Sequence, residues 1–140
     1  MQTFLPHPDF ESSLSCLDYR RLGKQRVEAF QLLGCISKNS TSGWRNHPAA
    51  RMWRGYAPAL RMYMRAAIIE WVHRGYRNTM EIPAREEYTS PSWLYKSSPV
   101  CISHQANLVR KDPEYYGAQF PEVDPLMPYH WPEEGSVEHV

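Results

Sequence analysis

Cysteine is scarce in this chain, with three in 140 residues. Cys16, Cys35 and Cys101 are odd in number and widely spaced. They fit neither a disulfide framework nor a C-x-x-C metal site, and they read as reduced, partly buried thiols. Each lies among apolar neighbours, which argues against a Cys–His nucleophile pair. The six histidines, His7, His47, His73, His104, His130 and His139, show none of the i, i+4 spacings of common metal sites, so no metal is expected. No apolar run approaches the roughly 20 residues of a membrane span, and Met1-Gln2-Thr3-Phe4-Leu5-Pro6 lacks the basic and apolar regions of a signal peptide. The expected setting is cytoplasmic and away from membrane, with the protein a monomer. Internal repeats and a Gly-rich phosphate loop are missing as well.

What remains is a globular composition. Hydrophobic residues make up 42% of the chain and aromatics 13%, which excludes disorder. The length predicts a single domain over 1–140 with one real core.

Acidic residues are nearly absent from one stretch. From Arg20 to Arg77 twelve Lys/Arg face only Glu28 and Glu70, a net +10 hidden under an overall +1. Residues 79–140 carry four cations and ten anions, a net −6, and Asp9, Glu11 and Asp18 supply the remaining −3. A folded block of +10 faces a polyanion, and nucleic acid is the commonest one. The density peaks between Arg20 and Arg26, where four of seven residues are Lys or Arg.

Helical signals dominate. The first helix is predicted from about Glu11–Ser13 to Gly34, with Gly34 as the C′ residue. On it Tyr19, Leu22, Val27, Ala29, Phe30 and Leu33 fall on one side, and Asp18, Arg21, Gln25 and Glu28 form a polar face on the other. Arg26 projects from the apolar arc and needs a carboxylate, carbonyls or an external anion. Gly23 weakens the helix centre by about 1 kcal/mol relative to Ala, so close backbone packing or a bend is expected there. A polar loop, Lys38 to Gly43, leads to a short helix from Pro48 to about Tyr56, with Asn46 or His47 near its N-cap. Pro58 opens a longer helix whose Leu60, Met64, Ala67, Ile68 and Trp71 share a core-facing side, ending at Arg74-Gly75-Tyr76. Residues 77–96 read as loop. Ser98-Pro99 caps a third main helix reaching Lys111, with Ile102, Ala106 and Val109 inward and His104, Asn107 and Lys111 on the opposite side. Beyond Asp112-Pro113 a Pro-rich, aromatic stretch predicts an extended tail over 117–140. The predicted fold is all-α, with three main helices plus a short one.

Phosphate recognition is the chemistry these residues support best. Arg20, Arg21, Lys24, Arg26, Arg45, Arg51 and Arg54 are close enough in sequence to line one groove. Gln25, His47, His104, Asn107 and Lys111 are further candidate DNA contacts. Trp44, Trp53 and Tyr56 could stack on bases, although Trp53 suits the core better.

At this point the chain resembles the pyrimidine-dimer DNA glycosylases of the phage endonuclease V type. Tyr19-Arg20-Arg21-Leu22-Gly23-Lys24 is similar to the family's Tyr-Arg-Glu-Leu-Pro-Arg. His47 through Arg74-Gly75-Tyr76 resembles its Gly-His segment and Arg-Gly-Phe. Gln105-Ala106-Asn107-Leu108 and Tyr115-Tyr116-Gly117 look like its Gln-Ala-Arg-Leu and Tyr-Tyr-Gly. The resemblance implies a cofactor-independent, base-flipping enzyme whose N-terminal α-amine attacks the sugar C1′ and forms an imine that permits strand cleavage. An unperturbed α-amine, with a pKa of about 7.7–8.0, keeps a useful neutral fraction near pH 7. Arg21 stands where the family carries its catalytic Glu, and Gln2 is large, so Met1 is expected to be retained and to bear the amine. The replacement carboxylate is Asp18 or Glu28, with Asp18 favoured for its nearness to the helix start. Lys24 is the alternative amine. The expected activity is a DNA N-glycosylase, with abasic-site lyase action, on a damaged or modified base in duplex DNA. The rivals are a DNA-binding protein that has lost the chemistry and an enzyme acting on modified nucleotides.

Overall fold

Polar side chains mark where the helices begin in the computed structural model, which describes residues 2–132. Its elements are α1 (Phe10–Ser15), α2 (Tyr19–Ile36), α3 (Pro48–Trp53), α4 (Ala57–His73), α5 (Pro99–Lys111) and α6 (Pro113–Tyr116). There is no strand among the described residues, in keeping with the all-α reading. Asp9, Asp18, His47, Ser98 and Asp112 each accept a backbone N–H in the first turn that follows them, satisfying donors that have no partner within the helix. Pro48, Pro58, Pro99 and Pro113 occupy first-turn positions, where the missing N–H costs nothing. No helix of the described residues is long and apolar enough to cross a membrane.

The predicted first helix is two helices. Leu17 N–H closes a tight turn on Leu14 O (3.3 Å), and Asp18 N–H donates to the Tyr116 hydroxyl (2.9 Å). The Asp18 carboxylate then caps α2, so the chain turns before the cationic run instead of passing straight through it. Gly34 lies inside α2, not at its end. Gly75, with φ +91, is the residue beyond α4 that the sequence predicts, since left-handed backbone there suits glycine.

The core forms mainly where α2 crosses α4 and α1 packs beside them. Along α4, Leu60, Met64, Ala67 and Ile68 are buried as predicted. On α2 the buried stripe is Leu22, Gln25, Ala29, Leu32 and Cys35. Tyr19, Val27 and Phe30, expected inside, are 48%, 42% and 62% exposed. The helix is rotated from the hydrophobic-arc expectation because Gln25 belongs to the interior. Gly23 does permit a close approach: a Cβ there would meet the Trp71 ring at 3.0 Å. Trp71 is held by Tyr76 stacked on it (4.4 Å between ring centroids) and by Arg26 over its face (4.2 Å). Arg26 also donates to Asn78 Oδ1 at 3.0 Å. It is thereby engaged on the α4 side of α2, with Nε left buried and without a hydrogen-bond partner among the described residues.

The extended segment of residues 2–6 threads through the molecule fully buried. It has no sheet partner, and side chains replace one. Gln2 N–H donates to Glu28 Oε2 (3.3 Å), Thr3 N–H to Gln2 Oε1 (2.9 Å), Phe4 N–H to Gln25 Oε1 (2.9 Å) and Leu5 N–H to His104 Nδ1 (2.8 Å). On the carbonyl side, Gln25 Nε2 donates to Gln2 O (3.2 Å), the Tyr63 hydroxyl reaches Phe4 O (2.9 Å) and Gln105 Nε2 donates to Pro6 O (2.8 Å). Trp53 Nε1 adds a bond to Thr3 Oγ1 (2.9 Å).

This segment explains a second correction. His104 and Asn107, expected on the outer side of α5, are buried. Residues 2–6 cover the first. The tail covers the second, whose Nδ2 donates to Ser103 O (2.7 Å) and reaches Met127 O (3.5 Å). Residues 77–96 are irregular as expected and are strapped to α4 by Arg61 on Glu86 and by Arg65 on Pro83 O (2.8 Å). The short α6, unpredicted, buries Tyr116 ahead of an irregular tail. The expected tail beyond residue 132 lies outside the described residues.

Two measurements check this packing. Gly23→Val, which drives a branched side chain into the restrained Trp71 ring, is expected to cost about 1–3 kcal/mol in urea denaturation. Burial holds the His104 imidazole down at about 3 from an ordinary 6.5. The unfolded chain therefore takes up a proton that the native one refuses. His104's contribution is fully present above the unfolded value and is lost, by about 1.4 kcal/mol per pH unit, as pH falls from there toward 3. Denaturation between about pH 7 and pH 4 should show that slope in the wild type and its loss in His104→Gln.

Candidate active site

The polar edge of α2 faces an open cleft whose far wall is built by the start of α3, the end of α5 and the tail. Asp18, Arg20, Arg21, Lys24, Gln25 and Glu28 line it from α2, with Gln2 at its floor. His47, Lys111 and Asp112 complete the polar lining, and Tyr19, Tyr115, Tyr129 and Trp131 supply aromatic walls. The tertiary structure thus gathers carboxylates and several cations from helices far apart in sequence.

The two candidate carboxylates differ sharply. Asp18 is occupied: it caps α2, pairs with Arg21 Nη1 (3.1 Å) and accepts a hydrogen bond from the Tyr116 hydroxyl. Burial pushes its carboxyl up, but the bonds from Tyr116 and Arg21 outweigh that and hold it below the usual range. Glu28 is half-buried, and its Oε2 accepts from Gln2 N–H (3.3 Å) and Gln25 Nε2 (3.2 Å). Its Oε1 has no hydrogen-bond partner among the described residues. Burial pushes the Glu28 carboxyl above its ordinary value, against the pull of the Gln2 amide, Lys24 and Gln25. A raised, half-engaged carboxyl in a cleft can hold or release a proton nearer neutrality. Asp18, locked as an anion, cannot.

The cations sort themselves by position. Arg20 is fully exposed, with Nε donating to the Tyr19 hydroxyl (3.0 Å). Lys24 and Lys111 are exposed on the cleft rim. Arg21 lies over the Tyr116 ring (5.9 Å) while paired to Asp18. His47 is the N-cap of α3, its Nδ1 accepting from Ala49 N–H (3.0 Å), and its ring meets Trp131 edge-on (6.1 Å). Three predicted DNA contacts face inward instead. Gln25 is 1% exposed and bonded to the N-terminal segment, and His104 and Asn107 are core residues of α5. Arg26 turns away from the cleft toward Trp71.

Arg45, Arg51 and Arg54 do not line the cleft but lie around α3, where Arg45 Nη1 holds Ser42 O (3.0 Å) and Arg54 donates to Arg45 O. Of the three aromatics proposed to stack on bases, Trp53 and Tyr56 are buried, and Trp44, 56% exposed, faces a separate groove formed with the 39–42 loop. Met1, the expected bearer of the amine, lies outside the described residues. Sequence reasoning missed Tyr116 and Tyr63 as partners of the polar edge. The Tyr115-Tyr116-Gly117 motif pointed to the first, and nothing in a helical pattern marks the second. Among the described residues no group of three His, Cys, Asp or Glu side chains is placed to hold a metal.

A family model described as pyrimidine dimer DNA glycosylase matches residues 1–84. That span takes in α1 to α4, including Gln2, Gln25, Glu28 and Tyr63. No curated protein and no solved structure matches the chain.

Tyr116→Phe separates the structural role of Asp18 from a catalytic one. It removes a donor from the carboxylate and strands Asp18 N–H, at an expected cost of about 1–3 kcal/mol at neutral pH. Because the lowered Asp18 carboxyl contributes stability that is lost as pH falls through its folded value, the variant's deficit should narrow in denaturation at about pH 2–3.

Proposed function

This chain belongs to the pyrimidine dimer DNA glycosylase family, a family of DNA repair enzymes acting on DNA, and on that premise we propose that it excises a damaged base through the Glu28 cleft with the N-terminal α-amine as nucleophile. The observation that carries this reading is Glu28. A carboxyl raised by burial sits in a cation-rimmed cleft, bonded to the backbone amide of Gln2. That bond ties the carboxyl to the segment that leads to the amine.

In the proposed sequence, Arg20, Arg21, Lys24 and Lys111 hold phosphates of the duplex, and the damaged nucleotide is turned out of the stack against the aromatic walls of the cleft. The neutral amine attacks C1′. The bond from C1′ to the base nitrogen breaks with its electron pair leaving on the base, which takes up a proton. Glu28 accepts the proton lost by the attacking amine, and its negative charge opposes the cationic character that develops at the sugar. The C1′–O4′ bond then breaks with its electron pair leaving on O4′, which takes up a proton, and the resulting open-chain imine allows loss of the C2′ proton and expulsion of the 3′ phosphate, which is the lyase step. Glu28 replaces Asp18 as the preferred carboxylate, because an acid already bonded to Tyr116, Arg21 and a helix terminus has no oxygen to spare.

Borohydride trapping on ultraviolet-irradiated duplex DNA tests the assignment. The expected result is a covalent adduct that maps to the N-terminal peptide and not to Lys24. Glu28→Gln should slow its formation by about 10²–10⁴-fold with DNA binding retained. Salt-dependent binding with no adduct and no base release from the wild type would overturn the reading in favour of a binding protein.

A further inference from the structure

The Gln25 carboxamide commits both of its N–H groups and its oxygen at one place. One N–H of Nε2 goes to Gln2 O (3.2 Å) and the other to Glu28 Oε2 (3.2 Å). Oε1 accepts from Phe4 N–H (2.9 Å) and lies 2.6 Å from the Tyr63 hydroxyl. The network fixes the amide's orientation: turned over, it would set its NH₂ against the Phe4 N–H and its oxygen against both Gln2 O and the Glu28 carboxylate. The group is almost wholly enclosed, at 1% exposure, and its support is enclosed too, since Tyr63 is fully buried on α4. Nothing about this residue suits contact with DNA, and everything about it suits holding something else still.

We propose that Gln25 is a positioning residue for the Glu28 carboxyl, pinning Oε2 so that Oε1 is the oxygen presented to the cleft, and locking the N-terminal segment and the carboxyl into one rigid unit. The inference rests on the reading of Glu28 given above. Its physical content is preorganisation. An unpinned Glu28 would exchange its two oxygens and rotate toward Lys24, and the segment bearing the amine would lose its register against the acid. Gln25 also acts on Glu28's proton affinity, because an N–H donated to a carboxylate favours the ionised form against burial. The other charged or titratable groups facing Glu28 are Lys24 on the same helix, the α-amine's charge, Tyr63 on α4 and Tyr129 from the tail. Arg21 and His47 border the same cleft.

Gln25→Glu tests this with almost no change of shape. The substituted carboxyl can still accept from Phe4 N–H, but it places a second acid against Glu28, and two such acids share a proton near neutrality. The acid limb of the kcat/KM profile for base release should move up by one pH unit or more, a tenfold loss on that limb, with duplex affinity unchanged. An acid limb that stays in place, with activity lowered uniformly or not at all, would overturn the inference, since a residue that merely supports the fold does not move a pH profile. If circular dichroism shows that Gln25→Glu does not fold, Tyr63→Phe serves in its place. Removing the hydroxyl behind Gln25 should lower kcat several-fold at unchanged KM, and a variant with lowered Tm but wild-type kcat would refute the positioning role. The two readings fail separately. Full activity in Glu28→Gln defeats the proposed function, whereas an inactive Glu28→Gln beside an unmoved Gln25→Glu profile defeats only this inference.

Discussion

An extended run of backbone buried without a sheet partner is costly, and residues 2–6 are such a run. Each unpaired amide would forfeit roughly 1–3 kcal/mol, so the rest of the fold is arranged to supply donors and acceptors from side chains. Gln25 and Glu28 come from α2, Tyr63 from α4, and His104 and Gln105 from α5. Three helices are thereby drawn onto one strand-like segment, and their mutual packing is set by where it runs. His104 is neutral because it must accept from Leu5 N–H at its Nδ1, deep in the core where a charged ring would be penalised.

The same constraint creates the candidate site. A carboxylate that satisfies a backbone amide is held at the edge of the interior, and the burial that holds it also raises its proton affinity. The cations lie one step further out on α2, on the rim, where water keeps them charged and phosphate could reach them. Asp18 and Tyr116 meanwhile join the start of α2 to α6, across 98 residues of sequence. That joint fixes Arg21 at the cleft, paired to Asp18 and lying over the Tyr116 ring. One helix thus holds an acid kept below the usual range at its start and one raised above it nearly three turns on, and their partners and burial distinguish them.

Local chemistry was legible from the residues. Capping side chains, first-turn prolines and Gly75 placed the starts of α3, α4 and α5 and the end of α4, because these devices act within four residues of the backbone they satisfy. The close approach at Gly23 was legible for the same reason. The break between α1 and α2 was not, since it depends on a tyrosine hydroxyl from the other end of the chain. The rotation of α2 was misread because a hydrophobic arc assigns every glutamine to water, and Gln25 is a polar residue recruited to a buried backbone. His104 and Asn107 were misplaced on the same ground.

The sequence by itself determined the class of fold, the helix boundaries set by short-range caps, the +10 segment that calls for a polyanion, and the family. Each of these is carried by residue type and spacing along a single stretch. Only the tertiary structure decided which carboxylate is tied to Tyr116 and Arg21, which cations share a cleft, and which polar residues are spent on the interior. Those questions turn on hydrogen-bond partners from distant segments and on local burial. A carboxyl's readiness to take a proton is a property of that enclosure, and no spacing within α2 could reveal it.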